Sequence, residues 1–68
     1  MLKDHNHDLI HQLSESSDAL WRMDDYIANA EGCAGCQALW IAMKEDLEAH
    51  VQAIKSEIAT HVAEERFE

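Results

Sequence analysis

At 68 residues, 47% hydrophobic and 28% charged, the chain holds one small domain, too short to bury a large core without a staple, a metal or a partner. Its 14 acidic against 5 basic residues leave a formal charge of −9, which argues against nucleic acid and anionic membrane surfaces, both of which need clustered lysine and arginine. No apolar run approaches the roughly 20 residues that cross a bilayer, no basic start leads into an apolar signal core, and the lack of proline suits packed helices, so the chain reads as cytoplasmic.

Residues 1–4 form a short lead-in, with Asp4 expected as N-cap because its carboxylate accepts from an unpaired N–H of the first turn. A first helix over about 4–31 follows. From Leu2, the residues Leu9, Leu13, Leu20, Met23 and Ile27 repeat at the helical period, with Ser16 where another apolar residue is expected. This row is the expected buried seam. Beside it Ile10, Ser14, Ser17, Trp21 and Ala28 form a second stripe, wider than one partner helix covers, which reads as a dimerisation surface. Asp18 and Arg22 stand four apart with the acid first, the spacing of a weak surface pair. The run Ser14-Glu15-Ser16-Ser17 fills little volume and competes for backbone hydrogen bonds, so it predicts a packing gap that admits a group from the opposite helix.

Both glycines and both cysteines fall in Glu31-Gly32-Cys33-Ala34-Gly35-Cys36. Gly32 suits the left-handed position that closes many helices, and Gly35 is available for a second tight step, which predicts a turn at about 32–35. A second helix over about 36–65 carries the seam Cys36, Trp40, Met43, Leu47, Val51, Ile54, Ile58 and Val62, with Glu45, Glu48, Gln52, Lys55 and Ala59 outside. The expected fold is all-α. Two helices, each about 42 to 48 Å long at about 1.5 Å per residue, form an antiparallel hairpin over residues 1–68 that dimerises into a four-helix bundle.

The cysteine pair is the most specific chemical signal. At a helix start, unpaired N–H groups and the helix dipole stabilise a thiolate. A redox pair there is similar to the arrangement in thioredoxin-like active sites, whose fold needs strands that this pattern lacks. Half of a zinc or iron site is the second reading, because C-x-x-C supplies two of four tetrahedral ligands. Thiols that merely occupy the turn are the third. Gln37 stands where covalent haem attachment needs histidine.

The histidines are the other constellation. With the loop near residue 33, facing positions in an antiparallel hairpin sum to about 66 or 67, which sets His5 across from His61 and Ser16 across from His50. His50, Glu57 and His61 share one edge of the second helix, and His50 reads as a hydrogen-bonded core histidine or as a ligand. His7 and His11 project outward into solvent, while Trp21, Trp40 and the methionines read as core or interface anchors. The run His61-Val62-Ala63-Glu64-Glu65 resembles the H-x-x-x-E element of haemerythrin-type iron bundles over five residues, and the rest of that ligand set has no counterpart here.

The expected metal ligands are therefore Cys33, Cys36, His5, His50, Glu57 and His61, with zinc or iron as the metal. Copies packed head to tail join two cysteines to two histidines, whereas copies packed head to head join four cysteines. The leading functional expectation is a non-enzymatic interaction module, dimeric, offering an acidic surface to a protein partner. A redox or metal enzyme competes with it. A Rop-like RNA-binding dimer shares the hairpin architecture but lacks support from any basic surface.

Overall fold

The structure, a computed structural model, describes residues 2–68; Met1, the start of the expected lead-in, lies outside the described residues. Two helices, α1 (Asp4–Asn29) and α2 (Ala34–Ala63), pack against each other as an antiparallel hairpin. Among the described residues there is no strand.

The turn is close to the expected one but shifted. Helix α1 stops at Asn29, two residues early, and α2 begins at Ala34, two residues before the expected start. Gly32 takes the left-handed conformation at φ 91°, as its lack of Cβ allows, whereas Gly35 lies inside the first turn of α2 and makes no second tight step. Cys33 ends the turn in an extended conformation, and its N–H donates to the Ala30 carbonyl at 2.9 Å.

At the far end α2 closes without glycine. The Arg66 N–H donates to His61 O at 2.9 Å and the Glu65 N–H to Val62 O at 3.1 Å, with Glu65 in the left-handed region at φ 55°. These are the two bonds of a Schellman closure. They turn the tail back across the start of α1, where the Lys3 N–H donates to Glu68 O. This return explains why Lys3, and not Asp4, occupies the N-cap. The Lys3 carbonyl accepts from the N–H groups of Asn6 and His7, both at 3.0 Å, and Asp4 sits one step inside, where its charge still favours the positive end of the helix.

The seam of α1 forms as its periodicity predicts: Leu9, Leu13, Leu20 and Ile27 are half-buried, and Ser16 and Met23 are buried. The seam of α2 does not. Gln37, Trp40, Lys44, Leu47, Val51, Ile54, Ile58 and His61 face α1, a regular three-four alternation, while Cys36, Met43 and Val62 of the expected seam are exposed. The reason is that each polar residue of the observed row has a partner across the hairpin. Gln37 Nε2 donates to Ile27 O at 3.3 Å, Lys44 Nζ lies 2.8 Å from Asp24 Oδ1, and His61 Nδ1 meets Asn6 Oδ1 at 2.6 Å. The Asp24 carboxylate holds the Lys44 ammonium above its ordinary pKa. The expected outer face of α2 is exposed, as are His7 and His11, but among the described residues Asp18 and Arg22 form no ion pair.

Asn6 is the only described side chain with no exposure at all. Its Nδ2 donates to the carbonyls of Arg66 at 2.9 Å and Glu68 at 3.0 Å, and its Oδ1 accepts from His61. Replacing Asn6 with alanine strands the His61 ring N–H and the Arg66 carbonyl, while Glu68 O keeps the Lys3 N–H, so urea denaturation at fixed protein concentration is expected to show a loss of about 2–3 kcal/mol. The same substitution at exposed His7 is expected to cost less than about 0.5 kcal/mol.

Candidate functional site

At the turn, Cys33 is the N-cap of α2 and both thiols are free and exposed. The Cys33 Sγ accepts from the Cys36 N–H at 3.4 Å. The Cys36 thiol, followed by that backbone N–H, holds the Cys33 pKa below its ordinary value, because both donate to the thiolate form. Cys36 is displaced upward in turn, first because its S–H is engaged by Cys33 and then because a charge at Cys33 opposes a second one. The two sulfurs are thus unequal, with Cys33 the readier nucleophile. Beside them opens a crevice of about 550 Å³ lined by Tyr26, Asn29, Ala30, Cys33, Cys36 and Trp40, with the Tyr26 and Trp40 rings 5.3 Å apart.

At the chain-end side, the expected pairing of His5 with His61 forms, their rings edge to face at 5.4 Å. Since Asn6 spends its amide hydrogens on the two tail carbonyls, its Oδ1 can only accept, so His61 Nδ1 carries a hydrogen. His61 Nε2 is left to face Glu57 Oε1 at 3.1 Å. His5, Leu9, Glu57, His61 and Arg66 line a crevice of about 380 Å³.

His50 is not the core histidine that the serine run suggested. It is exposed, and Ser16, buried across from it, is already satisfied by Gln12 Nε2 at 3.0 Å. The expected packing gap is real, a crevice of about 380 Å³ bounded by Gln12, Ser16, Leu47, His50, Ala53 and Ile54, but His50 stands at its rim and does not plug it.

The six expected ligands therefore fall in three places along a molecule 50 Å long: Cys33 with Cys36, His50 alone, and His5 with Glu57 and His61. His50 and His61 are separated by about 16 Å of helix at about 1.5 Å per residue. Among the described residues no group of three or more histidine, cysteine or acidic side chains is arranged to hold a metal ion. Arg66 adds a positive charge to the His5, Glu57 and His61 crevice, which opposes a cation there. Nor does the His61 to Glu65 run persist as a helical ligand element, because α2 ends at Ala63 and Glu64 pairs with Arg66.

Sequence reasoning missed Asn6. The signal was present: the α1 seam of 9, 13, 16, 20, 23 and 27 extends backward by three to position 6, and the residue facing it is His61. Compared with protein-family models, with curated proteins and with solved structures, the chain finds no match. What the fold defines is a two-helix hairpin with a thiol pair at its turn.

With its pKa lowered, Cys33 is expected to react with iodoacetamide at lower pH than Cys36, read by mass spectrometry of the labelled peptides across a pH series. Cys36→Ala removes the larger of the two donors and is expected to move the Cys33 labelling curve to higher pH.

Proposed function

We propose that the chain is a self-association module, in which two hairpins stack into a four-helix bundle and offer an acidic outer surface to a protein partner. The observation that carries this reading is thickness. The molecule measures 50 × 18 × 12 Å, and 12 Å is one helix. A stable domain needs two layers so that each apolar stripe has something to face, and this hairpin is one layer. Met23, at 5% exposure, is the only buried apolar side chain among the described residues, while Trp21 is 75% exposed.

The surface area supports a second copy as the missing layer. A compact 7.7 kDa monomer exposes about 4,300 Å², whereas the hairpin exposes 4951 Å². The excess is of the order of the roughly 800 Å² that each partner buries in a standard interface. The stripe of Ile10, Trp21 and Ala28, all exposed, supplies an apolar face at helical spacing, and Trp21 is its anchor.

Sedimentation equilibrium is expected to show a dimer at micromolar concentration. Because each copy carries −9, raising salt is expected to tighten the dimer by screening repulsion. Trp21→Ala is expected to weaken it by at least roughly tenfold. A wild-type chain that stays monomeric at hundreds of micromolar rules the reading out.

A bound zinc or iron is the second reading, favoured by the two free, exposed thiols at the turn. Stacked head to tail, two copies bring two thiols and two imidazoles together, and stacked head to head they bring four thiols together. Zinc titrated into reduced, chelator-stripped protein is expected to bind only while Cys33 and Cys36 are intact, with His5→Ala separating the two arrangements. Absence of uptake removes both.

A further inference from the structure

The turn carries an arrangement that self-association does not use. Cys33 is the N-cap of α2 and Cys36 sits in its first turn, and Cα atoms three residues apart at helical spacing lie about 5 Å from each other, inside the roughly 4.4–6.8 Å that a disulfide bridges. Cys33 Sγ already leans over the first turn of α2 to meet the Cys36 N–H. Both cysteines line the Tyr26 and Trp40 crevice, and both are free thiols.

We propose that Cys33 and Cys36 form a dithiol–disulfide exchange site, with Cys33 the attacking sulfur and Cys36 the resolving one, acting on small or peptidyl disulfides that seat an apolar flank against Tyr26 and Trp40. The Cys33 thiolate attacks one sulfur of a substrate disulfide. The substrate S–S bond breaks, and its leaving sulfur departs as a thiolate that takes a proton from water. The mixed disulfide on Cys33 is then attacked by Cys36, which gives its proton to solvent as the second substrate thiol leaves. The chain ends with a Cys33–Cys36 disulfide, two electrons poorer, and the substrate ends as two thiols. The N-cap position serves the first step, since the Cys36 N–H and the start of the helix favour negative charge on Cys33.

The charge of −9 selects among substrates: a cationic disulfide is drawn to this surface and an anionic one is repelled. Cystamine is the probe, with glutathione disulfide as the anionic comparison. The inference does not rest on dimerisation, because both sulfurs belong to one chain.

The experiment mixes reduced, full-length protein with cystamine in the presence of chelator and follows intact mass and released thiol. Wild type is expected to release two thiols per chain and to end two hydrogens lighter with no adduct. Cys36→Ala is expected to stop at one thiol and a stable adduct on Cys33. Cys33→Ala is expected to form its adduct more slowly than Cys36→Ala does, and glutathione disulfide to react more slowly than cystamine, with the difference shrinking in high salt. Circular dichroism checks that the variants keep their helices, as exposed positions should. Wild type that stops at an adduct, that crosslinks only between chains, or whose two single variants react at equal rates overturns the proposal. Sedimentation of the same samples reads the dimer separately, so failure of one reading is not mistaken for failure of the other.

Discussion

Burial of Asn6 is the constraint on which the hairpin depends. A fully enclosed amide must satisfy every polar atom, and this one does so only if His61 lies directly opposite and the tail turns back to offer the carbonyls of Arg66 and Glu68. Any slip of α2 along α1 takes His61 away and leaves the amide stranded at a cost of kilocalories. One residue thus locks register, closes the open end of the hairpin and orients the imidazole of His61. Gln37 and Lys44 act in the same sense nearer the turn, since each has its partner on α1 at a single register. A two-helix seam made only of aliphatic side chains slides at little cost. Polar members placed at intervals trade some burial for a unique alignment.

The same geometry separates the chemistry. Because the two helices run the length of a 50 Å body, the thiols at the turn and the His5 and His61 imidazoles at the chain ends are far apart within one chain. At the turn, unequal thiols sit beside aromatic side chains and open to solvent, as exchange chemistry requires. At the other end, His61 is held through both ring nitrogens and Arg66 stands beside it, so this cluster serves structure first. The proposed self-association and the proposed thiol chemistry would draw on different surfaces, the exposed Ile10 and Trp21 stripe for one and the turn for the other, so the two proposals share no residues.

Two helices, a glycine-closed turn, the α1 seam and the facing of His5 and His61 were all legible in the residues. Each depends on local rules: apolar spacing at the helical period, the freedom of Gly32 at positive φ, and the near-constant sum of facing positions once a short antiparallel turn is set. The cysteines were legible for a similar reason, as C-x-x-C at a helix start has its geometry built into the first turn. Only the tertiary structure decided which of two adjacent rows on α2 faces its partner. Apolar content favoured Cys36, Met43 and Val62, but the packed row contains Gln37, Lys44 and His61, because Ile27 O, Asp24 and Asn6 wait across the interface. Burial of a polar side chain is set by what it meets, and what Asn6 meets lies some sixty residues away in the returning tail.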